Sequence, residues 1–198
     1  MAAKTKPAPA IPVTSNPEAN DFLVADPLAL LIGMLLDQQV PMEWAFLGPW
    51  NLRARLGGSL DAATIAAMSE EEVDQIFRDK PALHRYPGSM AKRTYALCQF
   101  LVEHYDGDAG AIWRDGPDGP ELYRRLRELP GYGDEKTRIF MAILVKRLGL
   151  TVKRWEEAAK PFSDDVPRSV ADIDSAEGFA RVREFKKAKR AAGKQKTD

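Results

Sequence analysis

Residues 127–140 read RELPGYGDEKTRIF. A proline and two glycines fall between two segments of helical apolar spacing, and this break constrains the fold more than any other feature. Pro130 ends the first helix, because it lacks an N–H and its ring clashes with the preceding turn. Gly131 and Gly133 both permit positive φ. With one helix ending at Leu129 and the next starting near Asp134, the connection is Pro130 to Gly133. The second helix opens with N–H groups that lack intrahelical partners, and the glycines carry no side chain to keep an anion away. A phosphodiester oxygen can approach those groups and the positive end of the helix dipole. Lys136 and Arg138, one turn in, add positive charge. Such a turn holds a nucleic-acid backbone without reading sequence. A tight helix–helix turn with no ligand fits the same residues, and glycine spacing alone does not separate the two.

The rest of the chain reads as helix after helix. DPLALLIGMLLDQQ has Pro at its start and helix formers throughout. PMEWAFLGPWNLRARLG continues with an aromatic-rich face, and DAATIAAMS begins at Asp61. Ser69 and Glu72 have the spacing of a capping box ahead of EEEVDQIFRD. SMAKRTYALCQFLVEHY, GPELYRRLREL, DEKTRIFMAILVKRLG and SAEGFARVREFKKAKRAA follow with helical periodicity. No segment sustains the alternation of a strand, and no repeat recurs at fixed period. The expected fold is all-α, a bundle of short helices around one core.

Charge and cysteine content narrow the chemistry. The 198 residues carry a formal net charge of zero, so affinity for nucleic acid must come from a local patch. The single cysteine, Cys98, excludes an internal disulfide, a four-cysteine zinc site and a cysteine-ligated iron–sulfur cluster. Its apolar helical setting predicts a buried, inert thiol. Residues 1–20 are rich in Ala and Pro and read as a flexible tail without the apolar run of a signal peptide. Leu28 to Leu36 is too short to span a bilayer, so no membrane partner and a cytoplasmic location are expected. EFKKAKRAAGKQKTD is a basic end, either a solvated, fraying helix or an arm that attracts phosphate.

LPGYG followed by a basic, apolar helix resembles the helix–hairpin–helix of the HhH-GPD superfamily of DNA glycosylases. LIGMLLDQQVPMEWA resembles that superfamily's early helix, with its Gln pair roughly ninety residues before the hairpin. GSMAKRTYALCQFLVEHYDGD resembles its middle helix. PALHRYPGSMAKR, GYGDEKTRIF and RSVADID are similar to a branch of short, actinobacterial-type proteins labelled HhH-GPD-type base excision repair proteins. The resemblance covers about residues 25–160. It implies two helical lobes with a cleft between them, within a domain of residues 21–162 whose hairpin lies at 129–133, followed by a C-terminal helix and basic tail at 163–198. It also implies a monomeric, nucleoid-associated protein that kinks double-stranded DNA and flips one nucleotide into the cleft. Gln39 matches the position from which a polar side chain fills the gap in the base stack, and Gln38 supports it or faces the cleft. Ordinary exposed amides at a helix end are the plainer reading of both. The backbone carbonyls of Arg127, Leu129 and Tyr132 match the superfamily's site for a monovalent cation, K+ or Na+; no other cofactor is implied.

The chain departs from that pattern at the catalytic acid. The superfamily's aspartate, which stabilises the sugar cation as the base departs or activates the nucleophile, falls near Lys153 when counted from Gly133. Counted from Gly149 it falls at Glu156, with Glu157 next. The counts differ by about three residues, close to one helical turn. Solvated acids on a surface helix fit KRWEEAAK equally, and Asp37, beside the Gln pair, is a rival for the role. Lyase-active members place a lysine two residues past the second glycine; here Glu135 stands there and Lys136 is one further. That shift turns the side chain roughly 100° about the helix, so Lys136 is expected to face phosphate and the enzyme to be monofunctional.

Trp44, Trp50 and Trp155 are candidates to stack on a flipped base, and His84 to hydrogen-bond it. Aromatic side chains at helical spacing also serve as core, and a lone His beside a Pro-rich turn is often structural. Two functions stay open: a base-excision DNA glycosylase, and a non-catalytic DNA-binding protein that lost the acid. A protein-interaction module built on the basic C-terminal helix is a third. Glu156 inside a cleft near Gln39 is what separates the first from the second.

Overall fold

The computed structural model describes residues 8–193. Among them are eleven α-helices, one short 3-10 turn and no strand, as the periodicity predicts. In order these are α1 (Pro17–Ala25), α2 (Pro27–Leu36), α3 (Met42–Arg55), α4 (Ala62–Ala66), α5 (Glu70–Arg78) and α6 (Pro87–Tyr105). Then come α7 (Ala111–Arg114), α8 (Gly119–Glu128), α9 (Asp134–Lys146), α10 (Trp155–Ala158), the 3-10 turn Val170–Asp172 and α11 (Ala176–Ala191).

Local chemistry sets the starts. Ser69 accepts from the Glu72 N–H while Glu72 reaches back to the Ser69 N–H at 2.8 Å, a closed capping box. Asp61 caps α4 through the Thr64 N–H, and Ser175 caps α11 through the Gly178 N–H. Asp26 caps α2 through the Ala29 N–H.

Helix α2 is apolar all round and lies in the middle of the molecule. Every residue from Leu28 to Leu36 is buried, as befits a helix with no polar face. It packs along α3, touches α1, and makes separate contacts with α6 and α9. Helices α4 and α5 pack on α6, while α8 and α10 pack on α9 and on each other. One continuous cluster of buried hydrophobic side chains runs through both sets. Cys98 sits fully buried in it, and desolvation pushes its thiol up to about 12, so it is inert.

Two expected boundaries move. The flexible tail does not extend to residue 20: Ile11 and Val13 are buried in the core, Asn16 caps α1 through the Glu18 and Ala19 N–H groups, and Pro17 occupies its first turn. Residues 1–7 lie outside the described residues, as do 194–198 of the basic end. Nor does the core stop at residue 162. Val170, Ala171 and Ile173 are buried against it. Lys146 at the end of α9 pairs with Asp172 at 2.7 Å, and both side chains are mostly buried.

The turn between α8 and α9 also differs from expectation in one respect. Gly131 has φ +82°, but Gly133 is extended, with φ −76° and ψ 173°, as the N-cap of α9. Gly131 faces inward: a Cβ there would meet Leu35 Cδ1 at 2.4 Å. At Gly133 a Cβ would meet open space. Gly131→Ala should therefore cost about 2–4 kcal/mol, from left-handed backbone plus overpacking. Gly133→Ala should stay within about 0.5 kcal/mol of the parent protein. Urea unfolding midpoints at constant slope measure both.

Candidate nucleic-acid interface

The α8–α9 turn is fastened to the C-terminal end of α2. The Tyr132 hydroxyl, buried, donates to the Leu31 carbonyl at 2.8 Å. Lys136 Nζ donates to the carbonyls of Met34 at 2.5 Å, Leu35 at 2.8 Å and Asp37 at 3.3 Å. The expected orientation of Lys136 toward phosphate is thus corrected. Its ammonium turns inward, because the last carbonyls of α2 need donors and that helix has no basic residue in its last turn. Arg138 is also engaged, donating to Asp134 at 3.0 Å and to the Lys160 carbonyl at 2.6 Å. What the turn offers outward is the start of α9, where no side chain caps the helix and Gly133 leaves room.

The two glutamines have different surroundings. Gln38 is locked: its amide nitrogen donates to the Leu35 carbonyl at 2.9 Å and contacts Met90 Sδ at 3.3 Å, and its oxygen accepts from Arg93 at 2.9 Å. Gln39 is exposed and sits at φ +57°, a left-handed conformation uncommon for a residue with a Cβ. Arg93 and Met90 were not singled out by sequence, since nothing local marks a helix residue that meets a chain segment over fifty positions away.

A groove of about 870 Å³ opens beside this segment. Asp37, Gln38 and Gln39 lie on one wall and α11 forms the other. Six basic side chains line it, Arg85, Arg183, Lys186, Lys187, Lys189 and Arg190, against three acidic ones, Asp37, Glu43 and Glu184. Contacts that join the walls include Lys186 Nζ, 2.8 Å from Met42 Sδ, and Arg183, 3.6 Å from Glu43. Sequence marked the basic run of α11, but not that it faces residues 37–43.

Glu156 and Glu157 are absent from this groove. Both are exposed on α10, which packs on α8 and α9. Trp155 is half-buried against the core. The acid among the sequence candidates that does line the groove is Asp37, half-exposed, just past the end of α2.

The base-pocket and cation expectations also change. His84 is buried, with Nε2 3.2 Å from the Leu36 carbonyl and 3.1 Å from that of Gln38, while Nδ1 accepts from the Tyr86 N–H at 3.0 Å. This pattern needs the neutral ring with its proton on Nε2. His84 is a brace under the Gln segment rather than a group presented to a base. Trp44 is exposed and lies 6.2 Å from the His84 ring; Trp50 instead packs on Phe22 and Arg53. At the expected cation site, the Tyr132 carbonyl accepts from the Arg127 guanidinium and the Leu129 carbonyl accepts from the Tyr132 N–H at 3.0 Å. A fixed positive group at the Tyr132 carbonyl opposes a second cation there, so these residues do not fit K+ or Na+. Among the described residues no group of three or more His, Cys, Asp or Glu side chains could hold a metal ion. Among them, too, no single helix is long and apolar enough to cross a membrane.

No protein-family model matches the sequence, and no curated protein matches it.

Burial, foremost, with Lys136 adding to it, holds the His84 imidazole below its usual 6.5. The unfolded chain therefore binds this proton more readily than the folded one. Stability is unaffected above pH 6.5 and declines as pH falls from 6.5 toward the lower folded value. His84→Gln should flatten that part of the stability–pH curve while lowering stability at pH 8, as chemical denaturation across the range would show. An unchanged curve would remove His84 from the brace.

Proposed function

We propose that this chain is a DNA glycosylase of the base-excision-repair kind, with α8, the turn and α9 as its helix–hairpin–helix. It holds duplex DNA at the start of α9 and turns a damaged nucleotide out beside Gln39. The observation that carries this reading is Gln39 itself. It is exposed in left-handed backbone on a segment that Lys136, His84 and Arg93 hold rigid. A non-glycine residue kept in that conformation costs roughly 1–2 kcal/mol and persists where its surroundings over-determine it. A plug that must enter a base stack needs such a rigid base, because a loose side chain would lose on insertion the entropy it had outside.

The steps follow from the groups present. A phosphate approaches the uncapped N-terminus of α9 over Gly133, where a Cβ would have open space around it. The helix sets on either side of α2 are the lobes of this reading. Gln39 fills the gap as the nucleotide leaves the stack. The C1′–N bond breaks with its electrons leaving on the base, so positive charge builds on the sugar; water then bonds to C1′, and the proton it gives up ends on the released base. Asp37 is the acid of choice to face that charge, since it lines the groove and Glu156 and Glu157 do not. Lys136 is committed to the α2 carbonyls, which supports a monofunctional hydrolase over a lyase.

The same position of Glu156 and Glu157 favours the second reading, a non-catalytic DNA-binding protein. Incubation with a panel of duplexes, each bearing one defined base lesion, decides between them. The glycosylase reading expects release of at least one damaged base by the parent protein and a loss of ~10²–10³ in single-turnover rate for Asp37→Asn. Glu156→Gln and Glu157→Gln should leave the rate unchanged. If no lesion is processed but Gln39→Ala weakens binding to a duplex with an abasic analogue and spares intact duplex, the non-catalytic reading holds. Equal effects on both duplexes would reduce Gln39 to a surface amide.

A further inference from the structure

The groove between α11 and residues 37–43 carries more positive charge than a plug needs, and it is flanked by aromatic surface. Only three large hydrophobic side chains are exposed among the described residues: Trp44, Tyr86 and Val102. Two of them, Trp44 and Tyr86, neighbour the same residue, His84, each with its ring centre 6.2 Å from that ring. Their chain neighbours Glu43 and Arg85 line the groove. The aromatic pair is thus next in the chain to two lining residues, and exposed, without itself lining the groove. His84 is tied to the carbonyls of Leu36 and Gln38, so the pair is mounted on the rigid segment that ends α2.

Exposed aromatic rings beside a trough of Lys and Arg suit a particular ligand. Double-stranded DNA hides the faces of its bases, so it can use the charge but not the rings. An unpaired strand offers both, phosphates along the trough and bases to stack on the rings beside it. We infer that this groove binds a single-stranded nucleic-acid segment, with one base stacked on Trp44 or Tyr86 and its phosphates along the α11 wall. This surface does not include the start of α9; it shares Asp37 and Gln39 with the site proposed above, but it does not require that the chain cleave any glycosidic bond. A duplex opened at one nucleotide would present such a segment; so would a gap or a frayed end.

The α11 wall is suited to the task by charge rather than by packing. Its buried residues are Gly178 and Val182, near its first half, while Lys187 and Arg190 lie further along and face the groove. The three acids of the lining leave a positive balance, in a chain whose net charge is zero. Arg85 stands over the Tyr86 ring at 5.5 Å, so a phosphate drawn to its guanidinium brings the attached base near that ring.

The test uses the full chain and a short oligothymidylate, which forms no duplex and little self-stacking. Titration should quench tryptophan fluorescence and give an affinity that falls with salt. Trp44→Ala with Tyr86→Ala should weaken oligothymidylate binding about tenfold and spare intact duplex. Lys187→Ser with Arg190→Ser should lower the slope of log affinity against log salt by about 1.4, the amount for two phosphate contacts on a single strand. Should the aromatic double variant melt early, Tyr86→Ser and the charge variant carry the test alone. Gly133→Asp, which puts a carboxylate at the start of α9, should weaken duplex binding and leave oligothymidylate binding intact. Absence of oligothymidylate binding, or unchanged binding in both groove variants, overturns the inference. So does parallel loss of duplex and oligothymidylate binding in the aromatic variant, which would mean one shared surface. Unchanged duplex binding in Gly133→Asp would sink the α9 reading while leaving the groove untouched.

Discussion

The buried end of α2 is the constraint on which the rest depends. An apolar helix can lie at the centre of a protein only if the backbone groups at its ends find partners, since an unpaired buried carbonyl costs as much as a lost hydrogen bond. Its start is simple: Asp26 accepts from the Ala29 N–H. Its finish is not, for α2 has no polar side chain of its own. Lys136 takes Met34, Leu35 and Asp37; His84 reaches Leu36 and Gln38; the Gln38 amide returns to Leu35. Those donors come from α9, from the loop before α6, and from the segment just past α2. Satisfying one helix end thereby fixes three parts of the chain together, and Tyr132 and Gly131 pack into the same junction.

That junction explains which parts of the site were legible in sequence. Caps and breaks are local chemistry, so Ser69 with Glu72, Asp61 and Pro130 could be read directly. The start of the first helix was missed: Asn16-Pro17-Glu18 is a local start signal, but the Ala and Pro around it made residues 1–20 read as a tail. Lys136 could not be read. Its position one turn into α9 suggests a phosphate contact, and only the approach of α2 from about a hundred residues away turns it inward. Glu156 lies away from the groove for a related reason. Counting from Gly133 or Gly149 gives a distance along the chain, whereas a catalytic acid needs a direction. Arg154 adopts φ +60° just before α10 and redirects the chain, so α10 packs on α8 and α9 and leaves both glutamates exposed.

Charge is distributed unevenly despite the zero total. On α8 it is spent internally: Arg124 pairs with Glu121 and Glu128, and Arg125 with Glu121 and Asp115. These hydrogen-bonded pairs hold the Glu121 carboxyl down at about 2. Mutually satisfied, largely exposed pairs contribute little to stability and present little field. At the start of α9, Asp134 is likewise held by Tyr123 and Arg138, which softens the repulsion that an acid in that position would exert on phosphate. The groove is different, because its basic residues outnumber the acids that line it. A neutral chain can thus carry one positive face without the self-repulsion that a high net charge would bring.

Helix α9 links the two proposed nucleic-acid surfaces. Its N-terminus carries the turn that sits on α2. At its C-terminus Lys146 holds Asp172, and the 3-10 turn around Asp172 packs on α9 and on α11. Asp172 is itself gripped by the N–H groups of Arg168 and Ser169, both at 3.0 Å, so the clip is stiff. Thirteen residues of helix, about 20 Å, therefore separate the open backbone at Gly133 from the anchor of the basic wall. The other wall of the groove, Asp37 to Gln39, is held by Lys136 in the first turn of the same helix, so α9 braces the groove from both ends: one wall through Lys136, the other through Asp172.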